Sequence, residues 1–210
     1  MPIYAILNGD DFGLSAGINR GIIEAHREGI LTSASLMVVG EAFEEAVTLA
    51  HENARLSLGI HLTLVEGSPV LPPNQIPSLV TRDGRFVGSL GAFLTRWLTG
   101  RIRLQEVQRE LEAQVEKALK GKLRVDKLDS HMHVHLLPGI FHLVLRLAKQ
   151  YRIEAIRFPR ERSRDQNGDN QIVSMWRRTI LTTAFQSNLS GENHVNFPST
   201  TPPISSSNAA

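Results

Sequence analysis

The stretch LSLGIHL at residues 56–62 has the pattern of a β-strand with two different faces. Leucine or isoleucine occupies every second position, whereas Gly59 and His61 fall on the opposite side. We therefore expect a strand that packs one face against a hydrophobic core. Its other face carries an imidazole near the C-terminal end.

Strands of this kind alternate with helical segments along the chain. The predicted strands are residues 3–7, 33–39, 56–62, 125–134 and 154–158. Apolar residues recur at helical spacing in four intervening segments, which begin after Ser15, at Phe43, at Leu104 and at 139. This alternation predicts an α/β fold of parallel βα units, either an open sheet or a barrel. Residues 66–90 are rich in proline and predict a long functional loop or lid.

Net charge, cysteine content and the length of apolar stretches exclude several classes of protein and of binding partner. The 210 residues carry a net charge of +2 without a run of Lys or Arg, so we expect no nucleic-acid partner. The absence of cysteine excludes disulfides and thiol nucleophiles. No apolar stretch approaches the roughly 20 residues of a membrane-spanning helix. With no signal-peptide pattern at the N-terminus, the expected location is the cytoplasm.

Acidic and imidazole side chains gather where several predicted strands end. Asp10 and Asp11 follow the first strand, and His61 ends the third. The stretch DSHMHVH at 129–135 places an acid and three histidines at alternate positions, so in a continuous strand Asp129, His131, His133 and His135 share one face.

Each of these features alone has an ordinary structural explanation. Two acids before a helix favour its N-terminus, and a single strand histidine is more often packed or exposed than a ligand. Together they favour a metal site, because the C-terminal ends of parallel strands meet at one rim. A carboxylate with two imidazoles leaves positions open for water and substrate. Such ligands suit Zn²⁺, Mn²⁺, Co²⁺ or Fe²⁺ better than Mg²⁺.

The motifs DDFGLS, GIHLTL, DSHMHVH and RFPRE, in this order, resemble those of the YdjC-like carbohydrate deacetylases. That family includes chitooligosaccharide deacetylases and a branch associated with hopanoid biosynthesis, to which the chain looks closest. The resemblance covers residues 3–161 and implies an irregular (β/α) barrel related to polysaccharide deacetylases. It also implies a divalent ion, Mg²⁺ in the first place and Zn²⁺ in the second. The substrate would be an N-acetylated sugar or glycolipid.

The resemblance also implies roles for particular residues. Asp11, His61 and His131 would bind the ion, and Asp10 would act as the base. As further hypotheses, His133 or His135 protonates the departing amine, and Arg157 holds the oxyanion or the substrate. The expected site therefore comprises seven residues: Asp10, Asp11, His61, His131, His133, His135 and Arg157.

After residue 161 the family pattern stops, so we expect two regions. Residues 1–161 form the deacetylase-like domain, and 162–210 form a divergent polar tail that is partly disordered. The tail lacks the His-Pro motif of the family, so the barrel is expected to be incomplete at its C-terminus, by truncation or an altered reading frame. Two alternatives stay open: an impaired fragment that binds metal or sugar, and another metal-dependent hydrolase such as a phosphoesterase. A homodimer is also considered.

Overall fold

A computed structural model describes residues 5–159 of the chain, which form an α/β fold around one parallel sheet. The strands are β1 (Asn8–Phe12), β2 (Ser33–Leu36), β3 (Ser57–Leu62), β4 (Val125–Ser130) and β5 (Ala155–Ile156). They lie side by side in chain order, and every pair is parallel. In the described part of the chain β1 and β5 are the two edges, so the sheet is open. This agrees with the predicted α/β fold and with the strand order of a (β/α) barrel.

Five α-helices accompany the sheet within residues 5–159. They are α1 (Ala16–Arg27), α2 (Phe43–Glu52), α3 (Leu90–Leu98), α4 (Leu104–Lys120) and α5 (Ile140–Gln150). Ser15 caps α1 as predicted, since its hydroxyl accepts a hydrogen bond from the Ile18 N–H at 3.4 Å. Among the described residues no helix is both long enough and apolar enough to cross a membrane.

The two faces of the sheet differ in character. One face is apolar and buried and packs with the apolar sides of the helices: Ala34, Leu36, Leu58, Ile60, Leu62 and Leu128. The opposite face carries polar side chains, among them Ser35, His61 and Asp129. Gly59 lies on this polar face, where an added Cβ would stand 2.5 Å from the Lys127 side chain. The lack of a side chain at Gly59 therefore makes room for a lysine stem.

The first strand lies later in the chain than its apolar run predicted. Asn8 and Gly9 pair in register with Ser33 and Ala34, so β1 spans Asn8–Phe12. Ile6 precedes the strand and is 76% exposed, whereas residues 3 and 4 lie outside the described part. The prediction of a strand at 3–7 was wrong because hydrophobicity alone does not fix which residues pair. The two aspartates consequently lie inside β1 rather than after it.

The loop after β3 is fastened to α4 by buried polar side chains. Gln114 accepts a hydrogen bond from the Thr63 N–H at 2.9 Å and donates one to its carbonyl at 2.7 Å. The Glu110 carboxylate accepts from the N–H groups of Val70 and Leu71 at 2.9 and 3.0 Å. Burial raises the pKa of Glu110 despite these bonds. These side-chain hydrogen bonds satisfy backbone groups of the loop that would pair with a neighbouring strand if the segment were part of the sheet.

A second buried acid of α4 holds the loop further along. Glu106 is 3% exposed and accepts a hydrogen bond from the Ser78 N–H at 2.7 Å. Phe93 on α3 is fully buried, so it packs in the core. The first half of the long loop is thus held against α4 by hydrogen bonds to Glu110 and Glu106.

We expect Glu110→Ala to lower the free energy of unfolding by about 2 kcal/mol, because two partly buried backbone N–H groups lose their acceptor. Urea unfolding of the whole chain measures this change. Glu116→Ala is the matched control on the exposed side of the same helix, where the carboxylate contacts only the Tyr151 hydroxyl among the hydrogen bonds of residues 5–159. Equal losses in both variants would contradict a fastening role for Glu110.

Candidate metal centre

Asp11 lies at an irregularity of β1. Its φ of 64° is left-handed, and the pairing register with β2 shifts between Gly9 and Phe12. A left-handed conformation costs a residue with a side chain roughly 1–2 kcal/mol, although aspartate tolerates it better than most. The bulge brings the carboxylates of both Asp10 and Asp11 to the polar face of the sheet.

The Asp11 carboxylate lies between two imidazoles. Its Oδ1 is 3.1 Å from His131 Nδ1 and 3.3 Å from His61 Nε2. One ligand atom from each of the three side chains lies within 4.8 Å of the others. Hydrogen bonds from His131 and His61 hold the pKa of Asp11 far below its usual range. The three residues that the resemblance assigned to the metal are therefore together.

His61 is aimed at this cluster by a second carboxylate. Its Nδ1 lies 2.7 Å from Asp129 Oδ1, and the two residues are direct neighbours in the β3–β4 register. Burial lowers the pKa of His61, but the hydrogen bonds to Asp11 and Asp129 outweigh it and raise that pKa to about 9. A carboxylate on the far nitrogen of a histidine is typical of metal ligands, because it fixes the ring orientation and tautomer.

Asp129 links the cluster of Asp11, His61 and His131 to Asp10. Its Oδ2 accepts a hydrogen bond from the Ser35 hydroxyl at 2.7 Å and from Arg157 Nη1 at 3.3 Å. The same Nη1 lies 2.7 Å from Asp10 Oδ1, which also accepts from Asn8 Nδ2 at 2.7 Å. Burial raises the pKa of Asp129, but the hydrogen bond to His61 and the charge of His61 lower it by more. The net effect is a pKa below the usual value. Arg157 thus holds two carboxylates of the site.

The predicted row of histidines does not form. β4 ends at Ser130, and a 3₁₀ segment (His131–Leu136) follows in which Met132 and His133 have φ values of 55° and 57°. The prediction of a strand to residue 134 with all its histidines on one face was therefore wrong. His131 faces Asp11, whereas the chain turns before His133 and His135.

His135 lies in the interior and is 1% exposed. Its Nδ1 is 2.6 Å from the Ser130 hydroxyl, and its Nε2 is 2.9 Å from the Arg157 carbonyl oxygen. Burial lowers the pKa of His135 to about 4. An acid that meets substrate needs access, so this position does not fit the role considered for His135. The half-buried His133 lies edge-to-face with it, with ring centroids 6.3 Å apart.

Some contributors were not singled out by the sequence patterns. Ser35 and Asn8 look like ordinary polar strand residues, and their only signal is alternation onto the polar face. Glu66 lies beyond the GIHLTL motif, with its Oε2 3.6 Å from His131 Nε2. That nitrogen is buried and makes no hydrogen bond within the described residues.

The residues present fit a divalent ion. One carboxylate and two imidazoles converge, and Asp10, Asp129 and Glu66 surround them with further negative charge. Arg157 offsets only part of that charge. Nitrogen and oxygen donors in this ratio are typical of catalytic rather than structural sites.

These features define the class as a parallel α/β protein with a metal-capable centre at the C-terminal ends of its strands. A model of the family described as YdjC-like protein matches residues 4–202, and the chain belongs to that family. The match runs past residue 161, the predicted boundary of the first region. The division there, the nature of the tail and the hopanoid branch stay predictions.

Two similar proteins are named as deacetylases, in agreement with the family. The chain is 46% identical over 154 residues to a carbohydrate deacetylase of Brevibacillus brevis, covering 73% of the chain and 58% of the relative. It is 40% identical to a chitooligosaccharide deacetylase of Salmonella paratyphi B, covering 77% of the chain and 61% of the relative. The chain thus spans about three fifths of the length of these relatives.

A solved structure from Enterococcus faecalis V583, provisionally named a cellobiose-phosphate cleavage protein, has a similar fold. The TM-score is 0.67 at 31% identity, with 86% of this chain and 64% of that chain covered. The predicted family and fold are both confirmed by these comparisons.

The buried His135 predicts a loss of stability in mild acid. Its pKa is about 4 in the fold against 6.5 in its unperturbed state, so the unfolded chain binds more protons between these values. The free energy of unfolding should therefore fall as pH decreases from 6.5 towards 4, by up to about 3 kcal/mol.

Urea unfolding in the presence of a chelator at pH 6.5, 5.5 and 4.5 measures this fall. His135→Gln keeps a side chain that can hydrogen-bond but does not titrate, so its fall should be shallower. Parallel curves for the two proteins would show that His135 is not the buried neutral group.

Proposed function

We propose that this chain belongs to a metal-dependent hydrolase that removes the acetyl group from an N-acetylated sugar. The observation that supports it most is Asp11 Oδ1 between His61 Nε2 and His131 Nδ1, with a second aspartate beside them. The names of the relatives, carbohydrate deacetylase and chitooligosaccharide deacetylase, suggest the reaction and the substrate class. Because the chain spans only part of those relatives, the activity of the whole protein is a proposal.

Asp11, His61 and His131 would hold the ion. A bound divalent ion would polarise the acetamide carbonyl and make an attacking water more acidic. Donor chemistry favours Zn²⁺ or a similar ion, whereas the family resemblance favours Mg²⁺. We keep Mg²⁺ first and Zn²⁺ second, and a metal panel decides between them.

Asp10 is proposed as the general base. Arg157 and Asn8 both contact its Oδ1, so Oδ2 is the atom that would accept the proton from water. Water attacks the carbonyl carbon, the bond from that carbon to nitrogen breaks, and acetate and a free amine result. Holding Asp10 between an arginine and an amide fixes the base before substrate arrives.

The departing nitrogen must receive a proton. His133 is the better of the two histidines proposed for this step, because His135 is buried with both ring nitrogens engaged. Arg157 is proposed to hold the base through its contacts with Asp10 and Asp129. A role of Arg157 in holding the oxyanion or the substrate stays a prediction.

Two finer points of the proposal rest on the family resemblance: a glycolipid substrate and a place in hopanoid biosynthesis. A cytoplasmic location and a homodimer are further proposals that do not rest on it. The alternative of binding without turnover is favoured by one observation: the described strands form an open sheet. A phosphoesterase is less favoured, because those enzymes usually carry His-x-His at the end of the first strand, whereas Asp10 and Asp11 occupy the C-terminal half of β1 here.

The first experiment is acetate release from a panel of N-acetylated mono- and disaccharides and glycolipids. We expect release to stop with a chelator and to return with one added metal ion. His131→Ala should lower it on the order of 100-fold, because one ligand is lost. His142→Ala, an exposed histidine on α5, is the control and should keep wild-type release.

Release that survives both the chelator and His131→Ala would contradict the metal centre. Metal binding without any release from folded protein would favour the binding-only alternative.

Asp10 and Asp11 can be separated by their different losses. Asp10→Asn should lower turnover by about 10²–10⁴-fold while metal affinity is retained, because only the base is removed. Asp11→Asn should weaken binding of the metal itself. Calorimetry with the metal alone and acetate release, measured on both variants, test the assignment, and the reverse pattern would exchange the two roles.

A further inference from the structure

Glu66 is the group near the site that the proposed chemistry leaves without a role. It follows Val65, which is fully buried, and precedes Gly67, whose φ of 88° is left-handed. The Gly67 carbonyl accepts a hydrogen bond from the Phe86 N–H at 3.1 Å. With Thr63 fastened to α4, the backbone of Glu66 is held from both sides.

The carboxylate of Glu66 faces one of the two imidazoles. Its Oε2 is 3.6 Å from His131 Nε2, an ion-pair distance. The His131 side chain is 14% exposed, whereas that of Glu66 is 48% exposed. The other nitrogen of His131, Nδ1, lies 3.1 Å from Asp11. The ring therefore stands between two carboxylates.

His61 also stands between two carboxylates, but with the roles of its two ring nitrogens exchanged. Its Nε2 faces Asp11 at 3.3 Å, and its Nδ1 is bound to Asp129 at 2.7 Å. Each imidazole thus turns one nitrogen to the shared Asp11 and the other to a separate carboxylate. A carboxylate behind a histidine ligand fixes the ring and its tautomer, so that the opposite nitrogen is free to bind the ion.

We propose that Glu66 is the positioning residue for His131, as Asp129 is for His61; this rests on the proposed metal centre. At 3.6 Å from Nε2 the Glu66 carboxylate is too far for a hydrogen bond, but its negative charge favours the His131 tautomer with the proton on Nε2, which leaves Nδ1 to the ion. Because Glu66 is half-exposed and its contact is longer, its contribution is smaller than that of the buried Asp129.

The test is Co²⁺ binding, measured by calorimetry and by the visible spectrum of the bound ion, without substrate. We expect Glu66→Ala to weaken Co²⁺ binding by about tenfold, within the range for partners of metal-bound histidines. Glu66→Gln keeps a polar oxygen but removes the negative charge, so its affinity should lie between those of Glu66→Ala and the wild type. Glu28→Gln removes an exposed charge at the end of α1 and should bind like the wild type.

A positioning role changes the spectrum of bound Co²⁺ but leaves urea unfolding of the metal-free protein unchanged. Wild-type affinity and spectrum in Glu66→Ala would overturn this inference and leave the metal centre standing. A loss of stability in metal-free Glu66→Ala that matches its loss of affinity would also overturn it, because the role would then be structural. Equal Co²⁺ binding by the wild type and His131→Ala would overturn the proposed centre itself.

Discussion

The buried carboxylate of Asp129 is the interaction on which the arrangement of the site depends. It is 1% exposed, and its partners come from three other parts of the sheet: Ser35 on β2, His61 on β3 and Arg157 after β5. An unpaired buried carboxylate would cost several kcal/mol, so burial of Asp129 is favourable only with those partners in place. Arg157 then carries the constraint on to Asp10. The buried carboxylate of Asp129 thereby positions both the proposed metal ligand His61 and, through Arg157, the proposed base Asp10.

The left-handed residues explain how a short motif supplies different functions. In a regular strand, residues two apart are separated by about 6.6 Å, so of the histidines in DSHMHVH only one would reach Asp11. The left-handed turn at Met132 and His133 separates them instead: His131 stays at the rim, and His135 turns into the interior. Strain of about 1 kcal/mol at each such residue persists because the surrounding contacts hold it.

The sequence foresaw the parts that depend on repetition and on motif. Four of the five described helices (α1, α2, α4 and α5), the parallel pairing of the strands and the Asp11, His61 and His131 cluster follow from periodicity and from the family motifs. The position of β1, the turn after Ser130 and the partner of Glu110 did not follow. Alternation assumes one constant backbone conformation, whereas these features are set by contacts with residues distant in sequence. An amphipathic pattern likewise reads Glu110 as solvated, although the loop beside α4 needs a buried acceptor.

Charge explains why such a centre suits a cation. Four carboxylates (Asp10, Asp11, Glu66 and Asp129) and one guanidinium surround the two imidazoles, so neutral imidazoles leave the cluster negative. Without an ion, the raised pKa of His61, about 9, means that a proton on its ring balances part of this charge. A divalent ion bound by Asp11, His61 and His131 would take the place of that proton, since a ligating imidazole must be deprotonated. The carboxylates that hold the proton are thus the groups that would favour the ion.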